Sequence, residues 1–163
     1  MEITIRHSEA NDINAIKKIY EQLSCFTGTL QLPFPSEQLW EKRLTQLDNG
    51  VYSLVAEVEG KIIGQLGLTV NPSPRRKHVA SIGMALSEEF QNKGAGSALL
   101  NAAIELSTKW LAIKRIELEV YTDNEPAIKL YKKLGFNIEG TAKAFAYKNG
   151  EYADVFLMAR VSL

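Results

Sequence analysis

The sequence predicts a mixed α/β fold, a sheet packed by helices, and three observations carry that expectation. Alternating apolar runs are joined by short hairpin signals at Glu59-Gly60 and Asn149-Gly150. Apolar residues recur at helical spacing in four other segments. Strand, helix and strand then follow one another between residues 78 and 134, which implies crossover connections alongside the hairpins.

Taken in order, Ile3 to His7 alternates like a strand rather than like a leader peptide. Asn11-Asp12 offers helix caps, and Ile13, Ile16, Tyr20 and Leu23 form the stripe of a first helix. Cys25 to Pro35 reads as a loop, more apolar than a loop needs to be, with Phe26 and Phe34 either lining a pocket or closing the core. Ser36 caps a second helix with Trp40, Leu44 and Leu47 on one face, stopped by Asn49-Gly50. Val51 to Val58 and Lys61 to Val70 are strands. The basic turn Asn71 to Lys77 leads to a strand over His78 to Leu86. Gly94 to Trp110 is predicted as a helix with Leu99, Ala103, Leu106 and Trp110 on one face. Arg115 to Tyr121 is a strand with Ile116 and Val120 on one side and Glu117, Glu119 and Tyr121 on the other. Glu125 to Leu134 is a helix, with Asn124 as its cap and Gly135 as its stop. Thr141 to Lys148 and Glu151 to Val161 form the last hairpin.

The 163 residues match one domain, 1–163, with no repeat or linker. Apolar types make up 45% and charged types 23%, as in ordinary globular chains. Lys plus Arg equals Asp plus Glu at 19 each, so no charge excess favours nucleic acid or an anionic membrane. No apolar run reaches the roughly 20 residues that span a bilayer, and a cytoplasmic location is the expectation. Cys25 is the only cysteine, so no internal disulfide forms, and no metal site is expected from two distant histidines.

Two segments carry chemistry. Gln91-Asn92-Lys93-Gly94-Ala95-Gly96-Ser97 follows a strand and opens a helix. Backbone N–H groups at such a start, approached closely over glycine, suit a phosphate. It lacks the third glycine of the dinucleotide fingerprint and the Gly-Lys-Ser/Thr of a nucleotide loop. It also reads as a tight turn and nothing more. Asp123 to Phe136 (DNEPAIKLYKKLGF) is a capped amphipathic helix on which Tyr131 is either a core aromatic or a functional phenol.

In this order and at this separation, the Q-x-x-G-x-G loop and the D-N-x-x-A-I-x-L-Y-x-K-x-G-F run resemble the GCN5-related N-acetyltransferase (GNAT) superfamily. The resemblance extends over essentially the whole chain. Thr29 to Pro33, Arg75 to Ala80, Arg115 to Leu118 and the tail Asn149 to Tyr152 bring it nearest to the bacterial L-amino-acid N-acetyltransferases.

The resemblance implies a mostly antiparallel central sheet, helices on both faces, and a splayed strand pair forming the acetyl-CoA cleft. It implies acetyl transfer from acetyl-CoA, as co-substrate and without a metal, to a small-molecule amine. A homodimer is the assembly common in the superfamily. Met84, Ala85 and Leu86 match the strand that pairs with the pantetheine amides. Asn92, Lys93, Gly94, Ala95, Gly96 and Ser97 match the pyrophosphate loop, and Asn124 a cofactor-contacting asparagine. Tyr131 matches the tyrosine that protonates the departing thiolate, and Glu119 a glutamate proposed as general base. One departure is the pair Asn92-Lys93 after Gln91, where two basic residues are more frequent; that bears on affinity.

An α-amine suits this set. Its pKa of about 7.7–8.0 leaves roughly a tenth neutral at pH 7, against far less for a lysine near 10.4. Glu119, or water held by Glu117 and Glu119, would then suffice as base, though that pair also reads as a solvated strand face. Strand N–H groups near Leu86 are the natural donors to an oxyanion. Three alternatives stay open at this level: a protein N-terminus or lysine as acceptor, a polyamine, or a CoA-binding sensor without turnover.

Overall fold

The computed structural model describes residues 1–163. They fall into two compact units, Met1–Thr69 with Gly83–Ala103, and Val70–Ile82 with Ile104–Leu163.

The first unit holds β1 (Thr4–His7), β2 (Val51–Val58), β3 (Lys61–Val70) up to Thr69, and the last four residues of β4 (Val79–Leu86). β1 pairs antiparallel with β2, and β2 with β3. The β2–β3 turn is Glu59-Gly60, both at positive φ (49° and 78°), as a two-residue hairpin requires. Opposite Ala56/Glu57 the register slips by one residue at Ile63. Gly64 lies beside that slip because nothing larger fits. A Cβ there would stand 2.7 Å from the Leu86 side chain and 3.3 Å from the Ala85 carbonyl. So β3 and the end of β4 approach closely.

Three helices complete this unit's N-terminal half: α1 (Ile13–Tyr20), α2 (Leu23–Gly28) and α3 (Glu37–Thr45). Before α1, Glu9 and Asp12 form a capping box. Arg6 donates to both oxygens of Asp12, at 2.7 and 3.0 Å, and holds that carboxyl below its usual range. Ile13, Ile16 and Tyr20 are buried, as the periodicity predicts, and Ile19 joins them. Leu23 is not on that stripe. It opens α2 and is exposed, because the chain breaks direction at Gln22. The segment predicted as loop from Cys25 therefore begins as helix. Phe34 does not close the core either: it is 96% exposed, with φ 60°. Ser36 caps α3 as expected, its hydroxyl accepting from the Leu39 N–H at 3.1 Å.

After β4 comes a 3₁₀ turn at Glu88–Phe90, then α4 (Ala95–Glu105), whose Leu99, Leu100 and Ala103 are buried. The helix was expected to run unbroken to Trp110. Instead its last turn, Leu106–Trp110, widens to a π turn closed by the Leu111 N–H on the Leu106 carbonyl. One extra residue per turn rotates Ser107 into the interior and Trp110 out, where it is 77% exposed.

The second unit contains the start of β4, then β5 (Arg115–Tyr121), α5 (Glu125–Lys133), β6 (Asn137–Lys148) and β7 (Glu151–Val161), paired in the order β4-β5-β7-β6. β4 and β5 are parallel, and their ladder covers only Val79–Ser81 against Arg115–Glu117. The other pairs are antiparallel. β6 starts four residues earlier than its hairpin signal suggests and accommodates the extra length with two register shifts.

Candidate active site

Each unit presents its own set of the expected residues. In the first unit, β4 carries Met84 half-buried, Ala85 buried and Leu86 half-buried. Gln91 reaches back over the turn, its Nε2 donating to the Leu86 carbonyl at 3.3 Å, and the Cys25 thiol donates to the same carbonyl at 3.0 Å. Burial among apolar groups raises the Cys25 pKa, so the thiol stays protonated and acts as a small core side chain.

The loop Asn92-Lys93-Gly94 is bent by two left-handed residues, Asn92 at φ 62° and Gly94 at φ 90°. Nothing lies within 4 Å of where a Gly94 side chain would start. Ala95 and Gly96 are buried in the first turn of α4, and Ser97 is half-buried. Gly94 has no side chain with which to cap the helix, and the first N–H groups of any α-helix lack partners within it. An anion is the natural partner. Lys93 extends over the Phe90 ring at 5.4 Å.

Residues that local sequence does not disclose tie the turn directly after β4 to α2. Gln22, the residue before α2, accepts from the Glu88 N–H at 2.7 Å and donates to the Ser87 hydroxyl at 3.3 Å. Glu88 returns the contact: its Oε1 accepts from the Ser24 N–H at 3.0 Å and the Ser24 hydroxyl at 2.9 Å. Those bonds lower the Glu88 pKa. Each segment thus caps the start of the other. The partners are more than sixty residues apart, so no motif could have revealed them.

In the second unit, Asn124 caps α5, its Oδ1 accepting from the Ala127 N–H at 3.3 Å. Its amide NH₂ keeps its donors for other use. Tyr131 is half-buried, its ring 5.8 Å from Phe136, and burial pushes its pKa up to about 12. Glu119 is exposed on β5 opposite Leu157. Glu117 is committed elsewhere, with one carboxylate oxygen 2.8 Å from Arg76 and the other 3.2 Å from Arg115. Of the two strand glutamates, Glu119 alone is left without an ion pair.

A groove of about 860 Å³ also lies in the first unit, lined by Asn14, Lys18, Lys61 and Glu89 among others. Of the segment after β4 it borders Ser87 to Glu89 and not the loop at Gly94. No helix is long and apolar enough to cross a membrane.

Comparison with known proteins is consistent across sequence and structure. Residues 16–136 match the acetyltransferase (GNAT) family. The chain is 47% identical over 160 residues to an L-amino acid N-acetyltransferase, AaaT, of Escherichia coli, with 98% of each chain covered. It is 32% identical to an N-alpha-acetyltransferase of Sulfurisphaera tokodaii, over 97% of this chain and 92% of that one. A phosphinothricin acetyltransferase of Sinorhizobium meliloti, solved in complex with acetyl-CoA, superposes with a TM-score of 0.89 at 28% identity, covering 99% and 89%.

Proposed function

The chain belongs to the acetyltransferase (GNAT) family, and from that premise we propose that it acetylates the α-amino group of free L-amino acids with acetyl-CoA. The observation that carries this reading is the 47% identity, end to end, with an L-amino acid N-acetyltransferase. Residues 1–163 then act as one catalytic domain in the cytoplasm, and a homodimer is the assembly the superfamily suggests.

Acetyl-CoA supplies an activated thioester and a thiolate leaving group. The open space over Gly94 and the uncapped start of α4 suit its pyrophosphate. In this reading Asn92 to Ser97 donate backbone N–H groups to the phosphates, with Lys93 adding charge. Met84, Ala85 and Leu86 offer backbone groups to the pantetheine amides, and Asn124 donates through its amide. Glu119, or water beside it, takes the proton from the attacking amine. Tyr131 gives its proton to the departing sulfur. A phenol with a pKa near 12 is fully protonated at neutral pH, so it is always in the donating form.

Thiol release with acetyl-CoA, measured over the twenty amino acids and spermidine, tests the reading. Apolar amino acids such as Phe or Met are expected to exceed Asp, Glu and spermidine in kcat/KM, because Leu30, Leu32 and Phe34 lie exposed between α2 and α3. Spermidine as the best substrate defeats the amino-acid assignment and leaves the family intact. Thiol release that no amine stimulates defeats the enzyme reading in favour of a sensor.

A further inference from the structure

Trp40 and Arg43 lie three residues apart on α3 and so share a face of it. The Arg43 guanidinium stands 5.0 Å from the Trp40 ring centroid. Trp40 is stacked in turn on Tyr20 of α1, with centroids 4.5 Å apart and planes 22° from parallel. On its other side Arg43 donates through Nη1 to Oε1 of Gln31, in the segment between α2 and α3. An aromatic face and a neutral amide hold this cation, and no acid pairs with it. The other arginine of the unit, Arg6, has its fork spent on Asp12.

Tyr20, Trp40, Cys25 and Ala85 belong to one buried cluster. Cys25 bonds to the carbonyl of Leu86, and Tyr20 donates to the buried Gln65 at 2.7 Å. Arg43 thus packs on a ring whose cluster also contains Ala85 of the β4 segment proposed for pantetheine. A second unanswered donor lies in the stack, the buried indole N–H of Trp40. Leu30 and Leu32, on either side of Gln31, are 66% and 81% exposed. A planar guanidinium with a fixed fork, carrying no acid and flanked by unpacked apolar side chains, is matched to a ligand that joins a carboxylate to an apolar group.

We propose that Arg43 binds the α-carboxylate of the acceptor, so that it is the residue by which the enzyme separates amino acids from amines lacking that group. The proposal rests on the free-amino-acid reading above. It makes Gln31 and Trp40 positioning residues, which hold the guanidinium in place.

The test compares the best amino acid of the substrate panel with the amine left by its decarboxylation, on the wild type, Arg43→Gln, Arg43→Lys and Gln31→Ala. Arg43→Gln is expected to lower kcat/KM for the amino acid about 10- to 100-fold, the range of a lost charged hydrogen bond. The loss falls on KM, with the KM for acetyl-CoA unchanged. Activity on the decarboxylated amine stays within about twofold, so discrimination between the two collapses. Arg43→Lys recovers part of the discrimination because the charge remains. Equal losses on both substrates, or no loss on either, overturn the proposal. Gln31→Ala leaves the guanidinium in place and is expected to cost the amino acid less than Arg43→Gln while sparing the amine; a Gln31→Ala loss equal on both substrates would reduce Arg43 to an anchor for the segment and overturn the proposal. A wild type that acetylates no free amino acid refutes the amino-acid reading itself, and that arm is read before any variant is made.

Discussion

The starts of α4 and α5 are both proposed to meet the cofactor, and they are built on opposite plans. α5 is complete in itself. Asn124 caps it, Pro126 sits in its first turn, Glu125 complements the N-terminal end of its dipole, and Lys132 and Lys133 complement the other end. α4 has none of these. It begins after a glycine at φ 90°, has no acid in its first turn and no base in its last. The difference teaches what each helix is for. A helix that satisfies its own end is a rigid carrier, and α5 carries Tyr131. A helix left uncapped at its N-terminus, with no carboxylate in its first turn, is suited to an anion, the role proposed for α4.

The largest effect expected from this contrast lies on α5. Tyr131→Phe keeps the ring against Phe136 and removes the proton donor. kcat is expected to fall about 10²- to 10⁴-fold with acetyl-CoA affinity unchanged, as steady-state kinetics and calorimetry will read. A kcat within twofold of wild type breaks the assignment of α5 as carrier, provided chemistry limits turnover.

Next comes the start of α4. Gly94→Val places a β-branched residue in a left-handed conformation and reshapes the loop. Acetyl-CoA affinity is expected to drop by about tenfold or more, while circular dichroism remains that of the wild type. Calorimetry showing unchanged affinity would remove the anion from the account of α4.

Asn124→Ala is a smaller and different test. Loss of the cap costs about 1 kcal/mol, which lowers Tm by about 2–4 °C in a chain of this size. If Asn124 also donates to the cofactor, its variant weakens acetyl-CoA binding as well. A fall in Tm with unchanged affinity would leave it as a cap alone.

The finest test uses pH. Tyr131 donates only while protonated, and its raised pKa of about 12 keeps it so well past the ordinary phenol value near 10. With the acceptor saturating and fully neutral, kcat is expected to stay level from pH 9 to about 10.5. A decline centred near 10 would indicate an unshifted, solvated phenol and a Tyr131 less enclosed than its neighbours suggest.

Much of the architecture was legible because its signals act over a few residues. The bounds of β2, β3 and β5 emerge from apolar runs and the turn signals that flank them. Glu59-Gly60 and Asn149-Gly150 turn the chain through left-handed residues, as their composition demands. Ser36 and Asn124 cap the helices they were expected to cap. The loop at Gly94 and the face of Tyr131 could likewise be located from spacing, and the family from the order of the two motifs. Where reading failed, the deciding partner was distant. α2 has no capping residue of its own kind at Gln22, and the N–H of Ser24 is satisfied by Glu88, 64 positions away. Packing set the π turn that turns Trp110 outward.

The sequence by itself determined most element boundaries and the positions of the glycine loop and of Tyr131, which follow from backbone preferences and short-range periodicity, and the family, which follows from the resemblance of two motifs. Only the tertiary structure decided which of those residues are free to act. It bound Glu117 between Arg76 and Arg115 and left Glu119 unpaired. It locked α2 to the turn after β4 through Gln22 and Glu88. It set Arg43 on Trp40 with no acid to neutralise it. The reason is common to all three. A charge is available or spent according to what folding brings within about 3 Å of it, and that proximity is not written in the residues beside it.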